Sequence, residues 1–340
     1  MRAVVHTETG PSSVLHVVER EVPEPGPGEV RVRVERSGVN PTDWKSREGN
    51  GPGQPLKFPQ VVPNQDGAGV VDAVGPGASL PVGARVWLWQ AAWQRPEGTA
   101  QDHVVLPEHL AVPLPESASA DLGASLGIPA MTAHRALTLA DGFPAVLSPG
   151  SLDGRAVLVA GGAGAVGNAA IQLARWAGAH VITTVSSPEK AELARAAGAH
   201  EVVDYKRQDV AASVRAVAPD GVELVVEVAP AANAEIDGKV LARGGTVAIY
   251  ANDGGDDVVL PVRTLLSSNS RWQFVLVYTI SEQAKLDAVA GITAALADGA
   301  LDVGEARGLP LHHVPLEQTG RAHDMVRDAV VGKVLVDVSG

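Results

Sequence analysis

The sequence predicts an α/β protein in two parts, a β-rich part of short strands and a doubly wound parallel sheet covered by helices. Three observations carry this. First, a glycine stretch, Val157-Leu158-Val159-Ala160-Gly161-Gly162-Ala163-Gly164-Ala165-Val166-Gly167, lies between an apolar strand-type run and a segment with buried-helix spacing. Second, strand-type and helix-type segments alternate after it, the pattern of a parallel sheet. Third, short strands separated by Gly and Pro turns precede it, which predicts a compact antiparallel barrel. At 340 residues the chain exceeds one ordinary core, so two domains are expected.

Taken in order, Met1–His6, Val14–Glu19 and Val30–Glu35 read as strands, the last with period-two alternation. Pro23–Gly28 is turn chemistry. Ser37–Gly49 is polar and starts a short helix, and Gly49–Pro55 is a loop. Val61–Val71 and Gly83–Trp87 return to strand. Beyond the glycine stretch, His180–Val185, Glu201–Val203, Val222–Val228, Thr246–Tyr250 and Trp272–Val277 read as strands. Pro188–Ala197, Val210–Val217 and Ala234–Ala242 read as the helices between them. Ser281–Asp298 is helical, Leu309–Val314 strand-like, Thr319–Val330 helical, and Lys333–Val338 a closing strand.

The net charge of −12 argues against a general nucleic-acid binder, because such a surface repels phosphate backbones. The chain has no cysteine, hence no disulfide, thiolate ligand or cysteine nucleophile. It shows no signal peptide and no membrane-length apolar run, so a cytoplasmic protein without a membrane partner is expected.

The glycine stretch points to a dinucleotide. Gly162, Gly164 and Gly167 form a GxGxxG, and Gly161, Gly164 and Gly167 a GxxGxxG. Leading glycines permit the strand-to-helix turn, the middle one lets a pyrophosphate approach the backbone, and Gly167 lets helix and strand pack closely. Gly161, Gly164, Ala165, Val166 and Gly167 are the expected contacts, with free N–H groups at the helix start. The end of the second strand carries Ser186 and Ser187 instead of the Asp or Glu that would bond a ribose 2′-hydroxyl. Ser and Lys190 can bond a 2′-phosphate, which favours NADPH. An exposed helix lysine is the plain alternative.

Gly38-Val39-Asn40-Pro41-Thr42-Asp43-Trp44, Pro63–Val71, Pro81–Trp87, Ile128–Leu137 and the glycine stretch occur in this order. In that combination the chain resembles the medium-chain dehydrogenase/reductase superfamily, in its zinc-independent quinone oxidoreductase, or zeta-crystallin-like, group. The resemblance covers essentially the whole chain. It implies a GroES-like catalytic domain (residues 1–126, with a C-terminal return over 279–340) and a Rossmann domain over 127–278. It further implies NADPH as hydride donor and a homodimer joined through the sixth strands, Arg271–Phe274. Where zinc-dependent members have Cys and a His-Glu pair, this chain has Asn40, Gln65 and Asp66, so no metal is expected.

The resemblance also implies site residues. Asn40 would donate its amide to a substrate carbonyl or the nicotinamide ribose, or else only make the turn before Pro41. Lys45 stands two residues after Asp43, where the family often has Tyr, and would replace that donor or face solvent. Asp43 reads as a helix cap or a proton-handling group, and Arg47 as a family arginine or a surface ion pair. Thr132 would lie near the nicotinamide, or be a plain helical threonine. Lys190 and Tyr205 match residues that bind the 2′-phosphate, and Tyr250 a residue near the adenine or ribose. Trp87, Trp89 and Trp93 would wall a planar acceptor or belong to the core. Without zinc to polarise a simple ketone, a conjugated acceptor is the expected substrate, a quinone or another α,β-unsaturated carbonyl. A non-catalytic NADPH-binding protein and a reductase of a specialised enone are the alternatives.

Overall fold

The computed structural model describes residues 1–339. The chain divides into two compact units, Met1–Ile128 with the segment from Pro310 onward, and Pro129–Leu309. In chain order the first unit contributes β1 (Arg2–Val5), β2 (His16–Glu19), β3 (Glu29–Val39), α1 (Pro41–Glu48), β4 (Asp66–Val74), β5 (Arg85–Leu88), β6 (His103–Pro107) and β7 (Ala111–Pro113). Helix α2 (Ala120–Leu137) crosses the division. The second unit follows with β8 (Ala156–Val159), α3 (Ala165–Trp176), β9 (His180–Val185), α4 (Pro188–Ala196), β10 (Glu201–Asp204), α5 (Val210–Val217) and β11 (Val222–Glu227). It continues with α6 (Pro230–Val240), β12 (Leu241–Ile249), α7 (Val262–Ser268), β13 (Arg271–Phe274) and α8 (Glu282–Ala297). The chain ends in the first unit with β14 (Leu311–Pro315), α9 (Thr319–Arg327) and β15 (Lys333–Asp337).

The first unit is organised on β3. This strand pairs antiparallel with β4, β6 and β15, within a seven-stranded sheet of order β14-β15-β3-β4-β5-β7 to which β6 is added through β3. Its period-two pattern is why it sits centrally. Val30, Val32 and Val34 are fully buried, while Arg31 turns outward to an ion pair with Asp72 at 2.9 Å. Burying each valine contributes about 1.5–3 kcal/mol. At its end Asn40 caps α1, with Pro41 at the first helical position, where no N–H is needed. Gly49, at φ 55°, stops the helix.

In the second unit the sheet order is β10-β9-β8-β11-β12-β13, with every pair parallel. Order reverses between β8 and β11, and in such sheets the crevice at the carboxyl ends beside that point is where ligands bind. Leu158, Ile182, Val203, Val225 and Val247 form the packed interior beneath it.

Two expectations need correction, and three further elements are added. Residues 279–309, expected with the C-terminal return, group with the second unit. Helix α8 buries Ala288, Ile292 and Ala295 there, and a Cβ on its Gly291 would meet His134 Nε2 at 2.4 Å. Helix α6 begins at Pro230, not Ala234, because proline suits a first helical position. The helix α7 and strands β6 and β7 carry no periodicity long enough to have been read.

Candidate active site

The glycine stretch forms a tight strand-to-helix turn at the carboxyl end of β8. Gly161 takes φ 70°, a conformation that side chains disfavour. It is therefore Gly161, not the first glycine of the GxGxxG, that makes the turn. Gly167 allows close packing as expected, since a Cβ there would lie 2.4 Å from the Gly161 carbonyl oxygen. At Gly164, which caps α3, the nearest atom to an added Cβ is that same oxygen at 3.4 Å. The cap supplies no side-chain acceptor, so the first-turn N–H groups of Ala165, Val166 and Gly167 remain available to an anion.

Beside this turn the ends of β9 and β10 gather the other expected cofactor residues. Strand register pairs Asp204 with Val185, and the Tyr205 N–H donates to the Val185 carbonyl at 3.0 Å. Ser186 and Ser187 follow directly. Ser187 caps α4, its Oγ accepting the Lys190 backbone N–H at 3.3 Å. Lys190 is thereby set one turn into α4, half-buried, and Tyr205 is 52% exposed. Ser186, Lys190 and Tyr205 thus share one corner of the sheet.

Tyr250 follows β12, its N–H donating to the Glu227 carbonyl at 3.1 Å. Burial, and then the charges of Glu227 and Asp253, push its phenol up. Beneath it lies a feature absent from the sequence reading, the buried carboxyl pair Glu227 and Asp237, at 0% and 1% exposure. Glu227 accepts from the Ala229 N–H and, at 3.0 Å, from Asn233 Nδ2. Burial raises Glu227 and, together with the neighbouring Glu227 charge, raises Asp237 well above the usual carboxylate range.

In the first unit the candidate substrate residues meet a buried lysine. Asn40 is 2% exposed, and its amide is engaged inside the chain. Nδ2 donates to Asp66 Oδ2 at 2.7 Å, and Oδ1 accepts from Lys333 Nζ at 2.7 Å. The Asn40 amide is thus held within the chain through both its nitrogen and its oxygen. The Asn40 N–H donates to Asp43 Oδ2 at 2.7 Å, the cap geometry foreseen for Asp43. Asp66 also accepts the Ile128 N–H at 2.9 Å. Burial pushes Asp66 up to about 6, against the pull of Lys333 and Asn40. Burial and then the Asp66 charge push Asp43 up to about 8. Asp43 Oδ1 and Gln65 Oε1 are buried with no hydrogen-bond partner among the described residues.

The remaining expected residues divide. Lys45 is exposed on α1, with its ammonium 5.7 Å from the centre of the Trp44 ring. Arg47 is fully buried, not on the surface, donating to the Gly10 carbonyl at 3.1 Å and to Glu48 at 2.7 Å. Thr132 is 5% exposed on α2. Trp87 and Trp89 are core residues, so they cannot wall a substrate, and Trp93 is half-buried. Lys333 was missed as a site residue. Its only signal was a lysine opening an otherwise apolar strand, Lys333-Val334-Leu335-Val336.

The chain is similar to known proteins over its whole length. Residues 26–116 match the sequence family described as alcohol dehydrogenase GroES-like domain, and residues 165–291 the family described as zinc-binding dehydrogenase. The human quinone oxidoreductase is 30% identical over 329 residues, which is 96% of this chain and 94% of that protein. Among solved structures, an NAD-dependent alcohol dehydrogenase superposes with a TM-score of 0.85 at 30% identity, over 100% of both chains. A mycobacterial protein solved with NADPH superposes with a TM-score of 0.80 at 30% identity, over 99% of both. The second family description implies zinc, and the residues present do not fit it. Zinc takes nitrogen, sulfur and carboxylate donors in tetrahedral array. Among the described residues no group of three or more His, Cys, Asp or Glu is arranged to hold a metal ion. The buried carboxylates face an ammonium instead.

Proposed function

Because the chain is an oxidoreductase of the quinone oxidoreductase family of medium-chain dehydrogenases and reductases, we propose that it is an NADPH-dependent, zinc-independent reductase of quinones or other α,β-unsaturated carbonyls. The observation that carries the cofactor choice is the corner formed by Ser186, Lys190 and Tyr205, where the end of β9 has no carboxylate to repel a 2′-phosphate. NADPH, when bound, supplies a hydride. The turn Gly161–Gly167 would hold its pyrophosphate through first-turn N–H groups, and Tyr250 would lie near the adenine or ribose. In a conjugated acceptor the arriving negative charge spreads over the π system, so hydrogen-bond donors suffice in place of a metal. On the substrate side Lys45 is the proposed donor, and Thr132 the residue near the nicotinamide. Asn40 supports this chemistry indirectly, by fixing the start of the helix that carries Lys45.

The protein is proposed to act as a homodimer through β13. That strand ends the sheet, and Phe274 at its end and Leu276 just beyond it are 67% and 51% exposed. An unpaired sheet edge with exposed apolar side chains favours pairing with another strand.

The test is NADPH oxidation by the purified protein across a panel of ortho- and para-quinones, enones and simple ketones. Turnover of quinones or enones above simple ketones is expected. Turnover confined to alcohols and simple ketones would overturn the reading.

A further inference from the structure

The first unit holds two buried carboxyl groups, Asp43 and Asp66, at 4% and 0% exposure, and a buried lysine beside them, Lys333, at 2%. Lys333 Nζ lies 3.8 Å from Asp66 Oδ2, an ion pair too long for a hydrogen bond. Its direct bond goes to Asn40 Oδ1 at 2.7 Å. An ammonium can only donate and a carboxylate can only accept. The Asn40 amide between them therefore has one orientation, Oδ1 toward Lys333 and Nδ2 toward Asp66. Two glycines make room. A Cβ at Gly127 would strike Asp66 Oδ1 at 2.1 Å, and one at Gly38 would approach Lys333 Cε at 3.2 Å.

We propose that the Lys333 ammonium is the resident cation of this unit and a positioning residue. From within the chain it supplies the positive charge that the buried Asp66 carboxylate faces. It holds Asp66 and the Asn40 amide in one arrangement and, through the Asn40 cap, sets helix α1 and its side chains. Removing the ammonium leaves a small cavity bounded by Asp66 Oδ2 and Asn40 Oδ1, which suits a small cation.

The test uses Lys333→Ala in the full-length chain, with thermal melts in methylammonium chloride, tetramethylammonium chloride and potassium chloride at equal ionic strength. Lys333→Ala is expected to melt lower by on the order of 10 °C, since breaking a buried pair strands the other charge. Methylammonium is expected to raise that melting temperature saturably, tetramethylammonium not, and the wild type not. Adding Asp66→Asn should restore most of the loss and abolish the response. A Lys333→Ala melt within about 2 °C of wild type, or equal responses to the two ammonium ions, would overturn the proposal. If Lys333→Ala is not recovered folded, Lys333→Met with Asp66→Asn takes its place. That neutral pair is expected to fold, and its failure to fold would assign Lys333 to packing alone. The positioning role adds a kinetic arm, which rests on the proposed function. In Lys333→Ala, kcat with a fixed quinone should recover along the same methylammonium titration at unchanged KM for NADPH. Restored melting without restored kcat, in a preparation whose wild type turns over, would remove the positioning role. A wild type inactive on every quinone would fail the functional reading while the thermal arms still decide this one.

Discussion

Replacing Lys190 by Ala tests the cofactor assignment with little disturbance to the fold. The helix start does not depend on the lysine side chain, because Ser187 Oγ accepts the backbone N–H of residue 190, which alanine retains. Alanine is also the strongest helix former, so stability should hold within about 0.5 kcal/mol. What is lost is an ammonium placed to meet a 2′-phosphate. A hydrogen bond to a charged group contributes about 1.5–3 kcal/mol. Lys190 is half-buried, so solvent screens part of this, and the lower half of the range applies. About 1.5–2 kcal/mol corresponds to roughly 10–30-fold at 1.36 kcal/mol per decade. The assay is steady-state kcat/KM for NADPH and for NADH with one quinone held fixed. The expected result is a fall of that size for NADPH with NADH nearly unchanged. A ratio of NADPH to NADH specificity within about twofold of wild type would refute the assignment.

Two other expectations concern stability and assembly. Glu227 and Asp237 are both raised in the folded chain, so between the unfolded carboxyl pKa of about 4 and their folded values the folded state holds protons that the unfolded state has released. This pair's contribution is therefore fully present at low pH and is lost as pH rises. Asp237→Asn should melt higher relative to wild type at pH 8 than at pH 5, and an equal offset at the two pH values would contradict the raised pKa of the pair. Phe274→Glu places a charge on the exposed edge of β13 in each copy, and light scattering across a dilution series should show a dimer constant weakened at least about tenfold. A dimer unaffected by it is not joined through β13.

Much of the second unit was legible because its determinants are local. The runs His180–Val185 and Val210–Val217 coincide with β9 and α5, since strand and helix periodicities are properties of neighbouring residues. The glycine turn was legible for the same reason, although only the backbone showed that Gly161 carries the positive φ. Helix α8 was read as a helix but assigned to the wrong unit. Its Gly291 packs against His134 on α2 and against Leu147, and no pattern within α8 names them.

By itself, then, the sequence determined the doubly wound sheet, the dinucleotide turn and the missing metal donors, because spacing, glycine sterics and the identity of donor atoms need no partner to be read. Tertiary structure decided what Asn40 does. Its amide partner Lys333 is 293 residues away, and strand register alone brings it there, β15 pairing with β3 so that Val334 faces Val39. A lysine in a sequence reads as solvated. It becomes a buried cation only where a strand brings Asp66 beside it, the helix α1 adds Asp43 nearby, and water is excluded.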